Sequence, residues 1–378
     1  MPTKAPRKIG ILTSGGDSPG INAAIRGIGK AIAGHFNLQL IGFHDGFSGM
    51  AHNLIMPLEG EALSGILTTG GTILGTNRDK PYSAEEENGQ RVDYTEKILE
   101  VYHQHHLDGL ICLGGGNTQE SAYYLQQKGL NVITLPITID NDIPQTDMTV
   151  GFNTAMEIAA EAIDRLHSTA FSHHRIIIVE VMGRETGWLT LGAGIAGGAD
   201  VILIPEIPYD IHKVAEAILA RSRRGKRFSL VAVAEGAIAK ETLQFFEHAR
   251  QANRRLRSGD EAEAVETSLQ EIEKRSAGDT LHLANRLQEF TRLQTRVTIL
   301  GYLQRGGAPS AFDRVLATQL GTACAHLVSQ GHYGVMVGIQ GGSVKPIPLA
   351  QVAGKIKRVP LDHSWVHGAR LVGTCLGD

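Results

Sequence analysis

The sequence predicts an α/β protein with mainly parallel sheets, divided into two domains. Three observations predict it. First, short runs rich in Ile, Val and Leu recur at Ile9–Thr13, Leu38–Phe43, Gly109–Leu113, Val132–Leu135, Ile176–Val181, Val201–Ile204, Leu230–Val233, Val297–Leu300 and Val335–Ile339. They do not alternate apolar with polar residues, as expected of strands covered on both faces. Second, helix-forming stretches lie between most of them, which implies right-handed βαβ units. Third, nine strands over 378 residues fit two sheets better than one.

The helices carry their own signals. Ile21–Ala33 is apolar at helical spacing. A second helix is expected over Thr154–His167, with Asn153 as its N-cap and Glu157 in its first turn. From Glu241 to Gln294 the chain turns charged and helix-favouring, with Arg254, Arg255, Arg257, Glu261, Glu263, Glu266, Glu271, Glu273, Lys274 and Arg275. The segment at about 241–290 reads as a solvated helical insertion, or else as an arm for a partner or for assembly.

Composition narrows the function. Lys and Arg number 36 against 39 Asp and Glu, a formal charge of −3. That balance speaks against a general nucleic-acid binder. The 3 Cys, at 112, 324 and 375, show neither a disulfide framework nor metal-ligand spacing, which favours a reducing compartment. No apolar run approaches the roughly 18–20 residues of a membrane helix, and the stretch Ile9–Leu12 is too short for a signal-peptide core. A soluble cytoplasmic protein is expected, with neither nucleic acid nor membrane as partner.

Glycine is the outlier, at 45 residues, and it clusters after apolar runs. In open α/β folds ligands bind beyond the carboxyl ends of the strands. After the first strand comes Ser14-Gly15-Gly16-Asp17-Ser18-Pro19-Gly20, leading into a helix whose free N–H groups suit an anion. A second glycine cluster runs Thr69-Gly70-Gly71-Thr72-Ile73-Leu74-Gly75-Thr76-Asn77-Arg78, and a third is Gly114-Gly115-Gly116-Asn117-Thr118. Neither is a Walker loop, because no Gly-Lys-Ser/Thr follows. Three cradles with Arg78 point to a polyphosphate ligand. At the end of the fourth strand stands Thr138-Ile139-Asp140-Asn141-Asp142, two carboxylates able to divide proton transfer and metal holding between them. Further strand ends supply Arg175, Met182-Gly183-Arg184, Glu235-Gly236, Arg296 and Tyr302-Leu303-Gln304-Arg305-Gly306-Gly307. Arginine forks at such positions suit sugar phosphates.

In this order, these sites resemble the phosphofructokinase family. The resemblance rests on Ile9–Arg26, Gly70–Arg78, Leu113–Thr118, Thr138–Asp142, Phe171–Gly198 and Thr295–Arg314. It implies two Rossmann-like three-layer domains with the active site in the interdomain cleft. Residues 1–151 with 306–345 would bind the phosphoryl donor. Residues 152–305 with 346–378 would bind fructose 6-phosphate. The implied reaction is the glycolytic transfer of a phosphoryl group, more readily from ATP, to the 1-hydroxyl of fructose 6-phosphate with Mg2+. The resemblance makes Asp140 the general base, and has Arg78 and Arg184 neutralise the transferring group. It implies sugar contacts from Thr138, Asp140, Met182, Gly183, Arg184, Glu235 and Tyr302. The sugar's phosphate would be held by Arg175, Arg296 and Arg305, the first two reaching in from a neighbouring subunit of a dimer or homotetramer. Donor contacts are implied for Gly15, His44, Arg78, Asp79, Gly115, Gly116, Asn117 and Thr118.

The departures bear on the donor. The family's usual magnesium-binding Asp is Gly116 here; the resemblance puts Asp142 near the metal, and Asp17 and Asp140 are the other carboxylates at suitable strand ends. ATP users usually carry Gly at the positions of Asn117 and Ile137, and pyrophosphate users carry Asp and Lys there. The resemblance therefore implies crowding of the nucleotide's α-phosphate by Asn117 and Ile137, and also the loss of both pyrophosphate-associated charges. A pyrophosphate-dependent enzyme and a catalytically impaired regulatory subunit remain the alternatives.

Overall fold

The computed structural model describes residues 6–85, 91–256, 265–269, 272 and 279–378. It divides into two compact units, residues 1–155 with 305–357 and residues 156–304 with 358–378. The segment 346–357 thus lies with the first unit and not with the C-terminal tail, and Arg305 also falls in the first unit.

The strands, in chain order, are β1 Arg7–Ser14, β2 Leu38–Phe43, β3 Ile55–Pro57, β4 Ala84–Glu85, β5 Arg91–Val92, β6 Leu107–Gly114, β7 Val132–Thr138, β8 Val150–Gly151, β9 Ile176–Val181, β10 Val201–Leu203, β11 Ser229–Ala234, β12 Thr295–Ile299, β13 Val335–Gln340 and β14 Ser343–Pro348. The helices are α1 Ile21–His35, α2 Gly46–Ala51, α3 Thr95–Gln104, α4 Gly116–Gln127, α5 Phe152–His173, α6 Trp188–Ala196, α7 Ile211–Arg223, α8 Lys240–Leu256, α9 Thr280–Thr291, α10 Ala311–Ser329 and α11 Ser364–Leu371.

The first unit's main sheet runs β14-β13-β7-β6-β1-β2-β3, with β8 added on β7. Its centre is parallel, and only the two edges, β14 on β13 and β3 on β2, are antiparallel. Alternate residues feed opposite faces. Ile9, Ile11, Ile111, Leu113, Ile133 and Leu135 pack with α1 and α10 on one side. Leu12, Leu110, Cys112 and Val132 pack with α2, α3 and α4 on the other. Burial on both faces is why these strands read as unbroken apolar runs. The second unit has the all-parallel sheet β10-β11-β9-β12. Ile176, Ile178, Val231 and Val233 face α7 and α9 in one core.

Two expectations are corrected. Helix α5 starts at Phe152, so Asn153 lies inside it and is not its N-cap. The cap comes from Asp313, buried in the first turn of α10, which accepts the N–H groups of Gly151 (2.9 Å) and Thr154 (2.8 Å) and the Thr154 hydroxyl (2.5 Å). Ser310 in turn caps α10 through the Asp313 N–H and donates to Asn153 Oδ1 (2.7 Å). A distant carboxylate does at this helix start what a local side chain was expected to do.

The charged stretch is not a single solvated insertion either. Its last part, α9, places Leu283, Ala284 and Leu287 in the core of the second unit, with Asp279 capping it through His282 N–H. Its first part, α8, is paired to the segment 265–269 by Arg250 and Glu266 at 3.0 Å. Arg257, Glu261, Glu263, Glu271, Glu273, Lys274 and Arg275 lie outside the described residues.

Candidate active site

Four neighbouring parallel strands, β7, β6, β1 and β2, bring the first unit's predicted groups to one sheet edge. Gly15 follows β1 in the left-handed region (φ 98) and donates its N–H to Asn77 O (2.7 Å). Thr76 Oγ1 donates to Gly15 O (3.0 Å), so the first and second glycine sites are hydrogen-bonded together. Asn22, fully buried in α1, staples the second site further. Its Nδ2 donates to Thr69 O and Gly70 O (3.1 and 3.2 Å), and its Oδ1 accepts from Ile73 N–H (2.8 Å). Thr118 Oγ1 donates to Ser14 O (2.9 Å), which ties the third site to β1. Gly115 is the N-cap of α4 and offers no side-chain cap, while its carbonyl accepts the Thr118 N–H (3.0 Å); a helix start of this kind suits an anion. His44 and Asp79 stand beside these loops, at the end of β2 and after Arg78, and Arg78 itself is exposed.

After β7, Asp140 is held by its own turn. Its N–H donates to Thr138 Oγ1 (3.2 Å), and that hydroxyl lies 3.4 Å from Asp140 Oδ2. Asn141 takes the left-handed conformation (φ 50) and is buried, its Oδ1 accepting from Thr149 N–H (3.1 Å) and from Lys357 Nζ (3.1 Å). A positive φ away from glycine persists only where neighbours over-determine it, which is the case here.

One donor-site expectation changes. Ile137 does not face the loops: its side chain is 1% exposed and belongs to the core packed on α1 and α10. Asn117 is exposed. The expected crowding of an α-phosphate by Ile137 therefore has no side chain to cause it. Ile137→Ala should cost about 2–4 kcal/mol of stability, as for other buried large-to-small changes, and should not improve the apparent Michaelis constant for a donor. Chemical denaturation and donor titration of the variant check both parts.

Magnesium fits poorly on the protein's own groups. Gly116 offers no ligand, and a Cβ there would meet nothing within 4 Å. Asp142, which the resemblance puts near the metal, has the Lys357 ammonium as an opposing charge. Burial pushes that ammonium down to about 8 against the pull of Asp142 and Asp147. Among the described residues no group of three or more His, Cys, Asp or Glu side chains could hold a metal ion.

Arg305 was expected on the sugar's phosphate. The structure places it on the first glycine turn. Its Nη1 donates to Asp17 O (2.9 Å), and a Cβ at Gly16 would come within 2.1 Å of that nitrogen. Gly16 leaves room for this guanidinium, which a larger residue there would displace.

In the second unit the carboxyl ends of β9, β11 and β12 gather Met182, Gly183, Arg184, Glu235 and Tyr302. Gly183 sits at φ 139, and its carbonyl accepts from Gly236 N–H (3.1 Å). Glu235 N–H donates to Val181 O (2.9 Å), and Met182 N–H donates to the buried Gln304 Oε1 (3.2 Å). Arg184 and Tyr302 are exposed. Arg175 and Arg296 are at the other end of the sheet. Arg175 immediately precedes β9 and donates to Gln294 Oε1 (3.0 Å), while Arg296 lies opposite Ile177 at the start of β12. Seven residues separate Arg175 from Met182, roughly 23 Å of strand. One chain's sheet does not bring the two arginines to Met182–Arg184.

Several supporting residues were not signalled by the motifs. Asn22, Asp313 and Gln304 lay within matched stretches, but their burial was invisible. Lys357 lay in no motif at all.

The family model described as Phosphofructokinase matches residues 8–328. The chain is 54% identical over 371 residues to an ATP-dependent 6-phosphofructokinase of Propionibacterium freudenreichii subsp. shermanii, covering 98% of this chain and 99% of that one. It is 49% identical to the ATP-dependent 6-phosphofructokinase of Spirochaeta thermophila, over the full length of both. Among solved structures, the Pichia pastoris phosphofructokinase in the T-state superposes with a TM-score of 0.75 at 30% identity, covering 92% of this chain and 35% of that one. A pyrophosphate-dependent phosphofructokinase from Marinobacter aquaeolei shares the fold, with a TM-score of 0.76 at 22% identity and coverage of 98% and 92%. Matched by the family model over most of its length and by relatives at 54% and 49% identity over essentially their whole lengths, the chain belongs to the phosphofructokinase family.

Proposed function

We propose that the protein is a 6-phosphofructokinase that transfers the terminal phosphoryl group of ATP to the 1-hydroxyl of fructose 6-phosphate, a step of glycolysis in the cytoplasm. The observation that carries it is the Asp140 carboxylate, set by Thr138 at the end of β7 beside three hydrogen-bonded glycine loops. Asp140 takes the proton of the attacking hydroxyl. Arg78 and Arg184, both exposed, neutralise the charge of the group in transfer. Phosphoryl transfer asks for this positioning and charge compensation more than for covalent chemistry. Gly15, His44, Asp79 and the Gly115–Thr118 loop serve the donor, and Met182, Gly183, Glu235 and Tyr302 serve the sugar. No helix among the described residues is long and apolar enough to cross a membrane.

ATP is favoured as donor by the ATP-dependent relatives that match the whole chain, whereas the pyrophosphate-dependent structure is a more distant one. Magnesium, which the chain's own groups hold poorly, would come with the donor and would neutralise charge on its phosphates. Open space at Gly116 makes a restoring change feasible. Gly116→Asp should lower the magnesium concentration for half-maximal rate several-fold and raise turnover, as read by rate against free magnesium.

Arg175 and Arg296 support self-association. Starting adjacent strands at the far end of their own sheet, they are suited to a neighbouring subunit's sugar phosphate, in a dimer or tetramer. The function is tested by product analysis. Phosphorus NMR of protein, fructose 6-phosphate and ATP should show one new sugar phosphomonoester for each ADP, placed on carbon 1 by carbon coupling. ADP formed without a new sugar ester contradicts the proposal.

A further inference from the structure

The turn that presents Asp140 is clamped by a residue more than 200 positions later. Lys357 donates its N–H to Asp142 O (2.7 Å). Its ammonium donates to Asn141 Oδ1 (3.1 Å), Thr146 O (2.9 Å) and Asp147 O (3.3 Å). One side chain thus gathers both arms of the 140–149 loop around the left-handed Asn141. The next two residues act on a different turn. Arg358 Nη1 donates to Glu185 O (3.1 Å), and Val359 N–H donates to Glu206 Oε1 (2.9 Å). The same Glu206 carboxylate accepts the Gly187 N–H at 3.0 Å through each oxygen, closing the segment that begins at Met182. The chain passes from the first unit to the second between Lys357 and Arg358.

We propose that residues 357–359 form a positioning strap, in which Lys357 sets the Asp140 turn while Arg358, with Val359 on Glu206, sets the Met182–Gly187 turn. The proposal rests on the reading of Asp140 as base and of Met182–Arg184 as sugar contacts. Three acceptors converge on one ammonium inside a loop whose backbone is strained at Asn141. Removing the ammonium frees the loop to relax, and a displacement near 1 Å at a reacting group can cost about 10²-fold in rate. Arg358 holds a carbonyl on the sugar side only. Neighbouring residues therefore govern different kinetic constants.

The test compares wild type, Lys357→Met, Lys357→Arg and Arg358→Ala with ATP and fructose 6-phosphate, with melting temperatures measured in parallel. Lys357→Met should lower kcat by about 10–100-fold with the KM for fructose 6-phosphate held within about threefold. Lys357→Arg, which keeps a cationic donor, should recover much of that loss. Arg358→Ala should raise the KM for fructose 6-phosphate about three- to tenfold with kcat within about twofold. The strap is overturned if Lys357→Met changes only melting temperature, or if both positions shift the same constant. It is also overturned if both Lys357 variants fail to fold while Arg358→Ala folds, since Lys357 would then act on the fold and not on the turn. A wild type inactive toward fructose 6-phosphate overturns the functional reading together with the strap. An active wild type with unsplit constants overturns the strap alone.

Discussion

Asp140→Asn lowers kcat by about 10²–10⁴-fold and leaves the affinity for fructose 6-phosphate little changed, because general base catalysis is typically worth that much. The substitution keeps the shape of the side chain. Asn can still meet the Thr138 hydroxyl that lies 3.4 Å from the carboxylate, and Asp140 N–H still donates to the same hydroxyl at 3.2 Å. The turn is further fixed by Asn141 and Lys357, so the variant should retain its geometry. Only the proton acceptor is lost. Steady-state kinetics with a separate calorimetric titration of the sugar phosphate distinguishes the two effects. Near-normal turnover in a folded variant removes Asp140 from the mechanism.

The largest expected effect on stability is at Asp313. Its carboxylate, fully buried, receives the N–H groups of Gly151 and Thr154 and the Thr154 hydroxyl. Asp313→Ala strands three donors at the start of α5, and unsatisfied buried groups cost about 1–3 kcal/mol each, for a total of roughly 5 kcal/mol. The variant should melt well below the wild type in calorimetry, and an unchanged melting temperature would mean that water replaces the carboxylate. Desolvation pushes the Asp313 carboxyl above its usual value, against the donors of Thr154, Gly151 and Ser310. The sign for pH follows from that direction. The folded chain keeps a proton at Asp313 where the unfolded chain has released it. This group's contribution is therefore full below its ordinary value and is lost as pH rises through the raised one, opposite to an ion-paired carboxylate. Asp313→Ala should remove that component from the stability profile.

Much of the architecture was legible because burial on both faces leaves a plain mark. The apolar runs at β1, β6, β7 and β9 needed no neighbours to be recognised, and the glycines after β1 and β6 marked where those strands end. What escaped depended on distant residues. The start of α5 looked like an Asn153 cap because nothing local announces a carboxylate at position 313. Ile137 looked like a donor-site residue by its place in a motif, yet strand alternation turns it into the core. The charged stretch after Glu241 hid α9, whose buried Leu283, Ala284 and Leu287 are diluted by exposed polar neighbours. The bond from the Arg305 guanidinium to Asp17 O, across nearly 290 positions, was likewise invisible in its motif. Lys357 had no signal at all, since a single lysine in a C-terminal segment usually solvates the surface. Its role follows only from the acceptors that surround it.

Transfer of phosphoryl from ATP to fructose 6-phosphate is directly measurable. The most direct measurement is the initial rate of purified protein with fructose 6-phosphate, run in parallel with magnesium–ATP and with magnesium–pyrophosphate over the same concentration range. The account predicts saturable turnover with ATP and a much lower kcat/KM with pyrophosphate. Turnover with pyrophosphate but not ATP would contradict the donor assignment, and binding of fructose 6-phosphate without turnover from either donor would contradict the enzyme itself.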